Sequence, residues 1–257
     1  MLAQEMMTVV EQVQIAPRIF SLVLEGKLVQ EMQAGQFVHI RVPDKSMLLR
    51  RPISISDIDK EMCRCRLIYR TEGQGTELLS LLQAGQELDV MGPLGNGFPT
   101  EFLTEGNRVL IVGGGIGVPP LVELAKQAKR KGAEVFSILG FANRDALILE
   151  DELSQYGEVL VTTDDGSYGR KGHIGHIIEE LETEFKAIYA CGAPGMMAYL
   201  DQKFQHHPHA YLSLESRMAC GMGACYACVV KEKGGQDHEN KRVCKEGPVF
   251  ITGSLVL

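Results

Sequence analysis

Four cysteines near the C-terminus limit the folds open to this chain more than any other feature. Cys220, Cys225, Cys228 and Cys244 are spaced C-x4-C-x2-C-x15-C within residues 215–257. A segment of that size, loop-like except for a short apolar strand at its end, cannot build a core unaided and needs a staple. The chain has seven cysteines, an odd number, and opens MLAQEMMTVV with no basic-then-apolar leader. Metal ligands or free thiols are therefore expected rather than disulfides, and a cytoplasmic location follows. No apolar run approaches the ~20 residues of a membrane span. The net charge of −7 argues against nucleic acid as a partner, because phosphate binding needs clustered Lys and Arg.

The first three cysteines have the loop spacing of a plant-type [2Fe–2S] site. The small residues between them, Gly221, Gly223, Ala224 and Ala227, let backbone wrap closely around an inorganic core and aim N–H groups at its sulfurs. A structural zinc ion held by four cysteines is the alternative. That arrangement usually pairs two C-x2-C knuckles, and only one is present here. Cys63, Cys65 and Cys191 read as structural or cofactor-adjacent thiols.

Ahead of the cysteines the hydrophobic period changes once. Up to about Gly97 the chain alternates in short runs: 18–24 (RIFSLVL), 36–42 (QFVHIRV), 52–58 (PISISDI), 62–70 (MCRCRLIYR) and 86–91 (QELDVM). These are half-buried strands of a small antiparallel barrel, with a helical insert at 76–82. In 62–70, Cys63, Cys65 and Leu67 should share one face, with Arg64 and Arg66 on the other. After the Gly- and Pro-rich run 91–99, strands at 109–112, 134–139, 159–163, 187–190 and 210–214 alternate with helices at 119–130, 146–156, 173–181 and 195–205. That pattern predicts a five-stranded parallel α/β sheet with ligands at the carboxyl ends of its strands. The expected domains are a β-barrel over 1–99, an α/β domain over 100–214 and a cluster domain over 215–257.

Two segments of the barrel have the makings of a flavin site. In RRPIS (50–54), proline fixes the backbone, arginine can pair with phosphate and serine offers a hydroxyl. In LIYRTEGQGT (67–76), an aromatic and an arginine precede a Gly-Thr turn at a helix start, where pyrophosphate is favoured. The α/β region opens with VGGGIGVPPL (112–121). There Gly115, Gly117 and Pro120 form G-x-G-x-x-P, distinct from the Rossmann G-x-G-x-x-G, behind Gly113 and Gly114. Backbone can still approach a pyrophosphate there, and proline suits a first helical turn. CGAPG (191–195) follows the fourth strand, and its small residues leave room for a flat nicotinamide.

In this order, these motifs resemble the ferredoxin–NADP reductase superfamily over nearly the whole chain. The C-terminal CGMGACYACVV…RVC is similar to the electron-transfer subunits of class 1B dihydroorotate dehydrogenases. The resemblance implies FAD on the barrel at Arg51, Pro52, Ile53, Ser54, Ile68, Tyr69, Arg70, Gly75 and Thr76. It places NAD(H) at Gly113, Gly114, Gly115, Gly117, Pro120, Cys191 and Gly192. It also implies a separate FMN-containing catalytic subunit that oxidises dihydroorotate in pyrimidine biosynthesis, in a heterotetramer of two copies of each chain. No acid–base or nucleophilic catalytic residue is then required in this chain. Reductase subunits of hydrogenase, sulfide or transhydrogenase complexes share the same build. A redox-sensing flavoprotein is a further alternative, although no DNA-reading element is visible.

Three smaller features complete the reading. FAN (141–143) is like the segment of NADH-specific cytochrome b5 reductases and favours NAD, while the adjacent Arg144 could instead meet a 2′-phosphate. His206, His207 and His209 (HHPH) lack a carboxylate or cysteine at ligand spacing and read as a solvated helix end. Asp164 and Asp165 open a DDGS turn and are expected to cap or turn the chain rather than act as an acid–base pair.

Overall fold

A computed structural model describes residues 3–181, 183–236 and 239–257. The first lobe is a closed six-stranded antiparallel barrel in the order β1-β2-β5-β4-β3-β6. Its strands are β1 (Ala3–Ala16), β2 (Ile19–Glu25), β3 (Phe37–Ile40), β4 (Arg51–Asp59), β5 (Arg64–Arg70) and β6 (Glu87–Leu94), with helix α1 (Gln74–Leu79) between the last two. Met7, Leu22, Leu24, Val38, Ile40, Ile55, Leu67 and Val90 fill the interior. Closure comes from β1 pairing with both β2 and β6. Cys65 and Leu67 point inward as expected, but Cys63 lies outside the strand, at a turn with φ 53°.

The second lobe is a seven-stranded sheet rather than five. Its strands β7 (Arg108–Gly114), β8 (Glu134–Phe141), β9 (Gly157–Thr163), β11 (Ala187–Cys191) and β12 (Ala210–Ser213) are the expected parallel set. The short β10 (Arg170–Lys171) adds to one edge in parallel. The crossover helices are α2 (Pro119–Arg130), α3 (Glu150–Leu153), α4 (Ile174–Glu180) and α5 (Pro194–Phe204). The helix expected over 146–156 is cut to one turn. Asn143 caps a separate 3-10 turn by accepting from the Ala146 N–H at 3.1 Å, and Leu149 takes a left-handed φ of 65° that interrupts the run.

The last segment forms the hairpin β13 (Val229–Lys231) and β14 (Asn240–Arg242), then β15 (Val249–Ile251). Its final strand does not stay with the cysteines. It pairs antiparallel with β12 and completes the seven-stranded sheet. On its other side the cysteine module shares a small core with the barrel, in which Phe37, Met91 and Leu94 meet Cys228, Val243 and Cys244. Asn96, just past β6, bonds both Glu246 and Val249 and holds the seam. The two large lobes are braced by α2. Its Glu123, only 2% exposed, accepts from the Ile58 N–H at 3.0 Å and from Lys126 Nζ at 2.9 Å, while Lys126 also reaches Asp57 at 2.6 Å. All three sites are thereby held against one another.

Candidate functional site

On the barrel, β4 carries Arg51, Pro52, Ile53 and Ser54. The two arginines of RRPIS have separate roles. Arg50 is committed to structure: its Nη2 grips both carboxylate oxygens of Asp89 at 2.8 and 2.9 Å. Arg51 has no carboxylate partner among the described residues, and its Nη1 donates to the Leu49 carbonyl at 2.6 Å. Its guanidinium lies over Gly75, where any Cβ would collide with it. The pyrophosphate-competent arginine and the start of α1 therefore meet at one point, which fits a dinucleotide phosphate. Thr76 Oγ1 accepts from the N–H groups of Glu72 and Gly73 at 3.0 and 3.3 Å, which folds that turn. Ile68 and Tyr69 are buried and Arg70 is exposed. The Tyr69 ring belongs to the barrel interior, where its hydroxyl accepts from Gln12 Nε2 at 2.7 Å and burial pushes the phenol up to about 12.

In the second lobe the strand order places β8 and β9 on one side of β7, and β11 and β12 on the other. The gap between the carboxyl ends of β7 and β11 is thus the topological switch point, where open α/β sheets take their ligands. Gly113 and Gly114 end β7, Gly115–Gly117 form a 3-10 turn, and Pro119 and Pro120 open α2. Gly113 lies opposite Cys191 in the sheet. The two loops pack backbone to backbone: a Cβ on Gly117 would lie 2.5 Å from the Cys191 carbonyl carbon and oxygen. Gly192 in turn abuts Gly114 and Met196. Gly115, with φ 52°, faces open space. This is a bare backbone cradle of the kind a pyrophosphate requires. Cys191 is buried, and burial raises its thiol.

One further residue was not marked by the sequence motifs. Glu215, two residues beyond β12, is exposed, and its charge is felt at the Cys191 thiol. Desolvation, then the charge of Glu72, hold its carboxyl above the ordinary range, with Arg70 opposing. Its only sequence signal is an acidic side chain just past a parallel strand.

The cysteine loop is bent by left-handed Gly221 (φ 69°), Gly223 (φ 83°) and Tyr226 (φ 56°). Backbone N–H groups point at the sulfurs: Gly223 to Cys244 at 3.1 Å, Cys225 to Cys220 at 3.4 Å and Cys244 to Cys228 at 3.4 Å. Burial opposes ionisation of Cys220, but N–H groups of Met222, Cys225 and Ala224 bring its thiol down to about 6. The four side chains associate as two pairs, Cys220 with Cys225 and Cys228 with Cys244. Among the described residues no three His, Cys, Asp or Glu side chains converge as one metal ion needs. Two thiol pairs, each lined by backbone N–H groups, fit a two-iron centre with one pair on each iron. Arg242 holds the loop by donating to the Gly223 carbonyl at 2.7 Å, stacking 4.9 Å from the Tyr226 ring centroid and pairing with Glu246.

The remaining candidates stay outside these sites. His207 Nε2 bonds the Phe185 carbonyl at 3.0 Å, and the His209 ring stacks on Phe102 at 4.1 Å. Asp165 accepts from the Ser167 N–H and hydroxyl at 2.9 and 2.6 Å, an ordinary turn. The Arg144 guanidinium lies 5.9 Å from the Tyr168 ring centroid.

Comparison with known proteins bears on each of the three regions. Residues 6–98 match the oxidoreductase FAD-binding domain family and residues 111–202 the oxidoreductase NAD-binding domain family. Residues 215–256 match the iron–sulfur cluster binding domain of dihydroorotate dehydrogenase B. The dihydroorotate dehydrogenase B (NAD(+)) electron transfer subunit of Streptococcus mutans is 60% identical over 257 residues, covering 100% of both chains. That of Bacillus caldolyticus is 50% identical over 259 residues, again covering 100% of both. Among solved structures, an NADH-dependent reduced ferredoxin-NADP oxidoreductase superposes with TM-score 0.86 at 31% identity, over 98% of this chain and 90% of that one. The cytochrome b5 reductase domain of Ulva prolifera nitrate reductase shares the fold at TM-score 0.66 and 16% identity, over 82% of this chain and 97% of that one. With full-length identity at this level and all three site-bearing regions matched, the chain belongs to the family of dihydroorotate dehydrogenase B (NAD(+)) electron transfer subunits.

Proposed function

We propose that the chain passes electrons between an FMN-containing dihydroorotate-oxidising subunit and NAD+, as one half of a heterotetramer with two copies of each subunit. The observation that carries this reading is the joining of three cofactor-shaped sites in one packed chain. The Arg51–Gly75 face of the barrel, the Gly113–Gly117 cradle and the cysteine loop are linked by α2, β15 and the shared core. When bound, FAD supplies interconversion of hydride and single electrons, and a [2Fe–2S] cluster supplies one-electron exchange.

The chain's own residues bind and orient. Arg51 neutralises phosphate beside Gly75, and Ser54 offers a hydroxyl on the same strand. Gly115 and Gly117 admit the NAD(H) pyrophosphate, while Gly192 keeps the floor of the crevice low. Cys220, Cys225, Cys228 and Cys244 are the iron ligands. The domain limits 1–99, 100–214 and 215–257 follow the three sites, with β15 lent back to the nucleotide sheet. No nucleic acid or membrane partner is needed, and no described helix is long and apolar enough to cross a membrane. We assign the chain to the cytoplasm, in keeping with seven cysteines of which none forms a disulfide.

Co-expression with an FMN subunit and assay of dihydroorotate-dependent NAD+ reduction tests the proposal. Activity that vanishes when this chain is omitted supports it. NADH that bleaches the flavin without any dihydroorotate dependence would move the chain to another reductase complex, such as the ferredoxin-linked one it resembles in fold.

A further inference from the structure

His39 is fully buried in the middle of β3, and neither ring nitrogen has a hydrogen-bond partner. A buried polar group left unsatisfied is destabilising. The surroundings would readily accept an apolar side chain, since Phe37, Met91 and Leu94 line the same seam. Val38 and Ile40, the alternate residues of β3, face the barrel interior. The His39 ring must therefore point outward, to the side covered by the cysteine module. There it lies against Gly221, the residue after Cys220: a Cβ on Gly221 would overlap Nδ1 and come within 3.0 Å of Cε1. The backbones of Cys220 and Arg50 interact with the ring without closing a hydrogen bond to either nitrogen. In the sheet, His39 is paired with Pro52 of the RPIS strand.

We propose that His39 is a positioning residue for the iron–sulfur centre. Its ring N–H donates to an acceptor at Cys220 and locks the cysteine loop to the strand beside the flavin site. The inference rests on the cluster reading above. It explains why Gly221 has no side chain, because the imidazole occupies that space. It also explains why a histidine is kept in an apolar seam, because its polar partner belongs to the loaded loop. A donor directed at the ligand shell of an anionic cluster favours the more negative, reduced form.

The test uses the complete chain with FAD and iron bound. The readouts are the midpoint potential of the centre, the electron paramagnetic resonance spectrum of its reduced form, and the rate of iron release to a chelator. His39→Leu should shift the potential negative, alter the spectrum and speed iron release severalfold, and His39→Gln, which keeps a donor, should reverse much of each change. A His39→Leu protein with wild-type potential, spectrum and iron release overturns the proposal. Should His39→Leu fail to hold iron, His39→Gln decides: recovery of iron and potential supports the role, and loss equal to that of leucine overturns it. A wild-type protein lacking iron and labile sulfide overturns this proposal and the cluster reading together.

Discussion

Replacing Gly117 by alanine adds one methyl group at the tightest point of the nucleotide crevice. Its Cβ would lie 2.5 Å from the carbonyl carbon and oxygen of Cys191, about 0.9 Å short of the 3.4 Å at which ordinary contact begins. The obstructing atoms are backbone, so no side chain can swing aside and the β7 and β11 loops must part. Overpacking of this kind costs about 1–3 kcal/mol. If the closed geometry must be restored for the dinucleotide to bind, the same energy weakens NAD(H) by roughly 5–150-fold. The thermal midpoint should fall by about 2–4 °C per kcal/mol. Calorimetric titration with NAD+, together with NADH oxidation by an artificial acceptor, reads the effect, while flavin and iron content should stay at wild-type levels. Gly195→Ala is the internal control for melting, because nothing lies within 4 Å of that position and it sits in the first turn of α5. It should be neutral or slightly stabilising. A Gly117→Ala protein with unchanged NAD+ affinity and unchanged melting would refute the argument that backbone contact between these loops builds the site.

Arg51→Ala should release FAD while leaving the apoprotein's melting nearly unchanged; Arg50→Ala should instead lower stability by ~2 kcal/mol through loss of the Asp89 pair, measured by urea denaturation. Glu123→Ala leaves the Ile58 N–H without its acceptor and should cost about 3 kcal/mol, seen as a lower urea midpoint. Serine at Cys220 or Cys228 should abolish iron and labile sulfide, yet NADH should still reduce the bound flavin, observed as bleaching of its absorbance. Glu215 is held above its ordinary value of 4.5 by desolvation and Glu72, so its protonated form is the one the fold favours. That contribution is complete below about pH 4.5 and is lost as pH rises through the raised value; in the apoprotein, Glu215→Gln should flatten this part of the melting-versus-pH profile.

Local chemistry made much of the molecule legible in advance. The spacing of Cys220, Cys225 and Cys228, the glycines of the loop after β7 and the prolines that open α2 act over a few residues, and helix 119–130 appears with the limits its pattern implied. The barrel strands were readable where alternation was clean. The fourteen-residue β1 was not, because it is rich in Glu and Gln and only Met7 and Val9 are fully buried along it. RRPIS does not distinguish its two arginines. Asp89, brought in by β6, claims Arg50 and leaves Arg51 for phosphate. Nor does the cysteine spacing say that the thiols divide two and two, or that β15 leaves their module to pair with β12. The sequence by itself determined which chemistries the chain can host, since ligand type, small residues and strand or helix period are properties of neighbours along the chain. Only the tertiary structure decided how the sites face one another, and which groups, the buried His39 and the exposed Glu215 among them, lie near them. Those relations join residues far apart in sequence, and they exist only once the barrel has closed and the sheet has been completed.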